Sequence, residues 1–158
     1  MELYFLRHAK AVSREEWDGD DARRPLTERG RHDAARMAGF VARLALPIDA
    51  IVTSPYDRAL ETAEIAAQHL NMTDRLVSDD RVAPGFDREA LEGILADHPD
   101  AEALMFVGHE PDFSSIIGRL VGGRVVVKKG GIAHIESSGA SLDKAALLWL
   151  VQPSILGV

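Results

Sequence analysis

Patterns typical of buried strands and of amphipathic helices alternate along this chain. Residues 2–7, 48–54 and 102–109 are mostly apolar runs of the kind found in strands that are covered on both faces. Amphipathic stretches between them favour helices, one with Thr27 as its cap and one with Ser54 as its cap. Strands that alternate with helices are typical of a parallel sheet covered on both faces.

The rest of the chain completes this architecture. Residues 74–79 favour a short strand, residues 88–96 favour a helix, and Asp112 is a candidate cap for one more helix. Residues 131–137 and 146–152 favour an antiparallel pair of strands joined by a connection rich in Gly and Ser. The sequence therefore predicts a three-layer, doubly wound α/β domain. Its mostly parallel sheet carries helices on both faces and has an antiparallel edge strand.

Length, charge and composition narrow the class of protein. A chain of 158 residues suits one domain covering residues 1–158. The absence of cysteine excludes disulfides and thiol nucleophiles. The sequence shows neither a signal peptide nor an apolar segment long enough to span a bilayer. These features predict a cytoplasmic protein with no membrane partner. The net charge of −7 argues against nucleic acid as a partner. Any bound anion would need a local positive pocket.

Histidines and arginines follow the predicted strands at their carboxyl ends. Arg7 and His8 end the first strand, and His109 follows a later strand after a single glycine. Arg58 lies in the first turn of the helix that follows residues 48–54. Because ligands in such sheets bind beyond the carboxyl ends of the strands, we expect these four side chains to share one site.

This combination of side chains suits a phosphoryl group. Two guanidinium groups can bind phosphoryl oxygens bidentately, and the amides of the helix start at Ser54 add a favourable dipole. One neutral imidazole can attack phosphorus while a second stabilises charge on the equatorial oxygens. We expect the arginines to lower the pKa of a neighbouring histidine and so to keep it nucleophilic.

The other histidines lack this setting and are interpreted as structural or surface residues, namely His32, His69, His98 and His134. The spacing of the histidines gives no metal-binding pair, and no phosphate-binding glycine loop of the Walker type occurs, so neither a metal nor a cofactor is predicted. Arg124, Lys128 and Lys129 form a basic cluster. It is interpreted as a solvated surface, with an acidic phosphoprotein as the alternative partner. The oligomeric state is left open.

Four motifs resemble those of the histidine phosphatase superfamily, which has the phosphoglycerate mutase-like fold. They occur in the expected order as "LRHAK" (6–10), "PLTERG" (25–30), "TSPYDRALETAE" (53–64) and "FVGHEPD" (106–112). The short chain and the stretches "VGHEPDFSSIIGRLVGG" and "VKKGGIAHIE" are similar to the small SixA-type phosphohistidine phosphatases.

The resemblance implies a metal-independent phosphatase with a covalent intermediate. His8 would accept the phosphoryl group, and Arg7, Arg58 and His109 would complete the phosphate pocket, with Ser54 at the helix start also contributing to binding. Water would then hydrolyse the phosphohistidine. The implied substrate is a phosphohistidine in a protein of the phosphorelay type.

The chain departs from the larger members of the superfamily at one position. Pro84 aligns with the glutamate or aspartate that donates a proton in those enzymes. Asp79 and Asp80 are interpreted as turn residues, and the loop acids that remain candidates are Asp18, Asp20 and Asp21. An alkoxide leaves poorly without protonation, whereas an imidazole with a pKa of about 6.5 leaves readily. A missing acid therefore favours cleavage of P–N over P–O bonds.

Two alternatives remain open at this point. The first is a phosphatase of small phosphomonoesters, which would require a proton donor. The second is a phosphate-binding module without catalytic activity, which the joint presence of Arg7, His8, Arg58 and His109 disfavours.

Overall fold

A six-stranded mixed sheet forms the centre of the protein, with the strand order β3-β2-β4-β1-β5-β6. The computed structural model describes residues 1–138 and 142–157. The strands are β1 Glu2–Arg7, β2 Ala50–Thr53, β3 Leu76–Ser78, β4 Ala103–Gly108, β5 Ile132–Ser137 and β6 Ala145–Val151. The α-helices are α1 Glu28–Arg43, α2 Asp57–Leu70, α3 Arg88–Asp97 and α4 Asp112–Val121.

Strands β1 to β4 run parallel, and β5 and β6 form an antiparallel hairpin at one edge. The predicted α/β architecture with an antiparallel edge is therefore confirmed. Of the connection predicted to be rich in Gly and Ser, residues 139–141 lie outside the described part of the chain.

Alternating residues of the central strands build two separate cores, one on each face of the sheet. Leu3 and Phe5 of β1 pack on the face that α3 and α4 cover. Tyr4 and Leu6 of the same strand pack on the opposite face, against α1 and α2. This period of two is what a strand buried on both sides requires, and it explains why the run is apolar throughout.

Two helix starts differ from the sequence prediction. Ser54 does not cap α2: its hydroxyl accepts a hydrogen bond from the Tyr56 amide at 3.2 Å, and the helix begins at Asp57 with Tyr56 as its cap residue. Asp112 does not cap α4 either, because it is the first residue of that helix and accepts a hydrogen bond from the Gly85 amide at 2.8 Å. In both cases the polar side chain bonds within a loop beside the helix rather than across its first turn.

Gly30 allows α1 to approach the loop after β1 closely. The Thr27 side chain caps α1 through the Gly30 amide at 2.9 Å, as predicted, and the Thr27 amide itself donates to the Lys10 carbonyl at 2.9 Å. A Cβ atom added at Gly30 would lie 2.0 Å from the Lys10 carbonyl oxygen, which is a backbone atom. The first turn of α1 can therefore hold only glycine there without moving the chain that follows His8.

Replacing Gly30 by alanine is expected to lower the free energy of unfolding by about 1–3 kcal/mol, as overpacking of a filled site typically does. The matched control is Gly39→Ala in the same helix, where an added Cβ meets no atom within 4 Å among the described residues. This control is expected to stabilise the protein by about 0.5–1 kcal/mol, because alanine favours the helix. Urea unfolding of both variants measures the difference, and equal shifts would contradict the steric explanation.

Candidate active site

The carboxyl ends of three neighbouring parallel strands bring the predicted site residues to one edge of the sheet. Beyond β1, the His8 amide donates to the Gly108 carbonyl of β4 at 2.9 Å. Beyond β2, the Ser54 amide donates to the Val107 carbonyl of β4, also at 2.9 Å. Strand β4 thus anchors both of its neighbours just where their functional side chains begin. The convergence expected from the sequence is present in the fold.

His8 is buried, and its hydrogen bond defines which ring nitrogen is free. Its Nδ1 lies 2.7 Å from the carbonyl oxygen of Ala9. A carbonyl can only accept, so Nδ1 carries the proton. In a neutral ring this leaves the lone pair on Nε2, for which no hydrogen-bond partner occurs in the described ranges. The ring is therefore held in the tautomer that a nucleophilic imidazole requires.

His109 is the second imidazole of the site. Its ring centroid lies 5.2 Å from that of His8, and its Nε2 lies 2.7 Å from the hydroxyl oxygen of Ser54. The Tyr56 ring packs edge-on against it at 5.3 Å. Ser54 is fully buried behind His109 and is not among the described residues that line the cavity. The structure therefore places Ser54 as a support for His109, rather than at the cavity surface where a substrate-binding residue was expected.

Arg58 is a buried arginine whose guanidinium group is held on two sides. It donates to the carbonyl oxygen of Asp21 at 2.8 Å and to the carboxylate of the same residue at 3.2 Å. Its guanidinium carbon also lies 5.0 Å from the centre of the Tyr56 ring. Its Nε has no hydrogen-bond partner among the described residues. Such a fixed guanidinium is preorganised to bind an oxyanion.

Arg7 is held by a contact with the main chain of a different segment. Its guanidinium donates to the Val127 carbonyl at 3.0 Å, which ties the end of β1 to the loop before β5. Its Nε is buried and, within the described part of the chain, unpaired. Burial lowers the pKa of the guanidinium groups of Arg7 and Arg58. Both nevertheless remain cations at neutral pH, because arginine starts from a very high pKa.

Thr62 connects the two halves of the site. Its hydroxyl accepts a hydrogen bond from the Ala9 amide at 3.1 Å and donates to the Arg58 carbonyl at 2.7 Å. One side chain therefore links the backbone beside His8 to the first turn of α2. The sequence alone did not suggest this role, since a threonine within a helix gives no sign of which loop it will face.

The four predicted residues Arg7, His8, Arg58 and His109 line one cavity with a volume of about 590 Å³. Its wall adds residues that the sequence did not single out as site residues. The cations among them are Lys10, Arg14, Arg24 and Lys129, and the carboxylates are Glu15, Glu16 and Glu110. Of these residues, Arg24 could have been suspected from the sequence, because it immediately precedes the "PLTERG" motif.

Burial keeps both imidazoles neutral. The pKa of His8 is lowered to about 3, mainly by desolvation, while the hydrogen bond to Ala9 raises it and the nearby positive charges add a smaller lowering. Desolvation and the charge of Arg58 likewise lower the pKa of His109 to about 3. The predicted direction is confirmed for His8, but its main cause is burial rather than the arginines. At neutral pH the site therefore combines charged guanidinium groups with uncharged imidazoles.

The candidate proton donors occupy several positions. Pro84, which the resemblance aligns with the acid of larger enzymes, lines the cavity. Asp79 binds the Arg81 amide and side chain, in line with the turn role predicted for it. Asp21 is engaged by Arg58 and Arg24. Three other predicted or candidate acids are not among the described residues of the cavity wall, namely Asp18, Asp20 and Asp80.

The remaining histidines make local contacts. His69 and His98 each bond the carbonyl four residues earlier, and His32 lies 3.9 Å from the Asp33 carboxylate. His134 is buried in β5, where it pairs with Glu2 and stacks on Tyr4 with ring centroids 4.4 Å apart. Their interpretation as structural or surface residues agrees with these contacts.

Metal-binding clusters and membrane-spanning helices are absent from residues 1–138 and 142–157. No group of three or more His, Cys, Asp or Glu side chains in these ranges is arranged to hold a metal ion. No helix in them combines the length and the apolar character needed to cross a bilayer.

Comparison with known proteins places this geometry in a family. The model of the histidine phosphatase superfamily (branch 1) matches residues 3–83. An uncharacterized protein of Picosynechococcus sp. is 35% identical over 154 residues, which cover 90% of this chain and 89% of that protein.

Solved structures match the fold over nearly the whole chain. The protein histidine phosphatase SixA complexed with tungstate superposes with a TM-score of 0.87 at 20% identity and covers 99% of both chains. The putative phosphohistidine phosphatase SixA of Nakamurella multipartitia has a TM-score of 0.76 at 25% identity, over 96% of this chain and 95% of that one. The protein therefore belongs to the histidine phosphatase superfamily and has the fold of its small SixA-type members.

Proposed function

We propose that residues 1–158 form a single histidine phosphatase domain that removes a phosphoryl group from phosphohistidine in a protein substrate, without a metal ion. The observation that carries this proposal is the tautomer of His8. A proton fixed on Nδ1 leaves the Nε2 lone pair free in a cavity that also contains two guanidinium groups. This is the arrangement that an imidazole needs to attack phosphorus.

The reaction would proceed in two displacements at phosphorus. In the first, Nε2 of His8 forms a bond to phosphorus while the P–N bond to the substrate imidazole breaks. The substrate imidazole, already protonated on its other ring nitrogen, leaves as a neutral ring with the electron pair of the broken bond. In the second, water attacks the phosphoryl group on His8, the P–N bond to His8 breaks, and orthophosphate leaves. Arg7, Arg58 and His109 would stabilise charge on the equatorial oxygens in both steps.

The leaving group explains why phosphohistidine is the preferred substrate. Pro84, which the resemblance aligns with the carboxylate donor of larger enzymes, lines the cavity and cannot protonate a departing alkoxide. An imidazole, with an ordinary pKa of about 6.5, needs less help. The shared fold with a SixA structure that contains tungstate, an oxyanion, is consistent with an oxyanion site in this protein.

A specific observation favours a second candidate function, hydrolysis of small phosphomonoesters. Glu15, Glu16 and Glu110 line the cavity, and any of these carboxylates offers a proton donor that the sequence did not suggest. Two of them are already engaged: Glu110 accepts from the Ser114 amide at 3.1 Å, and Glu16 accepts from the Ser13 hydroxyl at 2.9 Å. These contacts occupy one carboxylate oxygen of Glu110 and one of Glu16.

Turnover of matched peptides tests the proposal. A peptide carrying phosphohistidine is expected to be hydrolysed at least about 100-fold faster than the same peptide carrying phosphoserine, because a missing general acid typically costs 10²–10⁴-fold. Phosphate release at pH 7 is the readout. Similar rates that fall for phosphoserine alone in Glu110→Gln would establish the second function instead. No release from either peptide would indicate a binding module.

A further inference from the structure

A second cavity of about 650 Å³ opens beside the catalytic one, and the two share Arg7 and Lys129 in their walls. We propose that this groove binds acidic side chains that flank the phosphorylated residue of a protein substrate. The inference rests on the proposed phosphatase function and specifies the kind of partner that the site recognises. Hereafter the basic groove means the cavity lined by Arg29, Asp33, Arg36, Lys128, Lys129, Gln152, Pro153 and Ser154, together with Arg7 and Gly157.

The charge of the basic groove is opposite to that of the chain. Five cationic side chains line it and a single carboxylate, that of Asp33, is present in its wall. The chain as a whole carries a net charge of −7. A positive surface on an acidic protein concentrates negative partners locally, since surface charges attract over roughly one Debye length, about 8 Å at physiological salt.

The one carboxylate of the groove orders its arginines rather than opposing a ligand. Asp33 accepts from the Arg29 side chain at 3.1 Å and lies 3.7 Å from the Arg36 guanidinium, so it links two successive turns of α1. Each arginine uses only part of its five donors in these contacts. The remaining N–H groups are available to carboxylates of a partner.

The two lysines of the groove are presented by a fixed backbone. The Gln152 side chain accepts from the Lys128 amide at 2.9 Å and donates to the Val126 carbonyl at 3.0 Å. Both lysine side chains are exposed, and neither forms an ion pair with any residue in the described ranges. Unpaired cations on an ordered loop can bind an anionic partner without first breaking an internal contact.

The same loop connects the groove to the nucleophile. The Val127 carbonyl accepts from Arg7, and the Gly130 amide donates to the His8 carbonyl at 3.1 Å. A chain whose phosphorylated side chain enters the catalytic cavity therefore passes over Lys129 and continues into the basic groove. This continuity distinguishes the groove from an unrelated patch of surface cations.

Two synthetic peptides of equal length test the inference. Each carries one phosphohistidine, flanked in one peptide by aspartates and in the other by serines. The wild-type protein is expected to have a higher kcat/KM for the acidic peptide, through a lower KM. The charge reversal Lys128→Glu is expected to raise that KM about fivefold to tenfold with kcat unchanged, because it replaces attraction by repulsion at a partly solvated contact. Turnover of the serine-flanked peptide should change little.

The matched control is Lys144→Glu, which makes the same charge change near Met1, at the opposite end of β1. It is expected to leave the preference for the acidic peptide intact. An unchanged preference in Lys128→Glu overturns the inference, and so does an equal loss in both variants, which would reflect net charge alone. A wild-type protein that cleaves both phosphohistidine peptides equally well overturns only this inference. A wild-type protein that cleaves neither overturns the proposed function and this inference with it.

Discussion

Replacing His8 by alanine is expected to reduce turnover by about 10⁴-fold or more, the scale on which loss of a catalytic nucleophile acts. The substitution removes the free Nε2 lone pair, and we do not expect the nearby His109 to replace it, because its Nε2 is bonded to Ser54 and its Nδ1 is fully buried. The wild-type protein, mixed with a phosphohistidine peptide carrying ³²P and quenched in base, is expected to carry an adduct that is stable in base and labile in acid. Peptide mapping should locate the label on residue 8.

The control for this experiment is His32→Ala, which removes an exposed imidazole of α1 that is not among the described residues of the cavity wall. It is expected to leave both the adduct and the turnover unchanged. His8→Ala should carry no label. A label on an aspartate in either protein would show that the nucleophile has been misassigned.

Replacing Arg58 by alanine is expected to reduce turnover by about 10²- to 10³-fold, as the loss of one preorganised charge in an oxyanion site does. The native fold should persist, because the apolar contacts of α2 are made by other residues, Ala59, Ala63, Ala66 and Ala67. Arg58→Lys is expected to recover little activity, since an ammonium group cannot bind phosphoryl oxygens through a planar pair of donors.

The comparison for Arg58 is Arg43→Ala, the same substitution at an exposed position of a helix end. It should change neither kcat nor the midpoint of thermal unfolding. Circular dichroism of both variants separates a catalytic loss from a loss of structure. Global unfolding of Arg58→Ala at room temperature would contradict a role limited to phosphate binding.

Much of the site could be predicted because its residues occupy equivalent positions in a repeating fold. His8 and His109 each follow an apolar run, and the rule that parallel strands end at one edge is enough to bring them together. Arg58 could be predicted for the same reason, since it lies in the first turn of the helix after the neighbouring strand β2. In each case the evidence was local, because the residue lies within a few positions of the end of a predicted strand.

The contacts that support the site could not be predicted from the sequence, because they join residues that are far apart along the chain. Asp21 holds Arg58 from 37 positions away, and Thr62 reaches Ala9 from 53 positions away. Ser54 was interpreted as a helix cap because local preference favours serine there, yet tertiary packing gives its hydroxyl to His109 and delays the helix to Asp57. The contact with His109, which is distant in sequence, outweighs the local preference of serine for capping a helix.

The ladder between β1 and β4, in which Arg7 stands opposite Gly108, fixes one dimension of the chemistry. Hydrogen-bonded strands lie about 4.7–4.9 Å apart, and the two imidazole rings that follow these strands are separated by 5.2 Å. The distance between the imidazole rings of His8 and His109 is therefore set mainly by the main-chain pairing of β1 and β4. Changes in the side chains around the cavity should alter it little. Rim residues 13–16 of the cavity can therefore be exchanged, and the molecules that the cavity admits can change with them, while the spacing of the two imidazoles is retained.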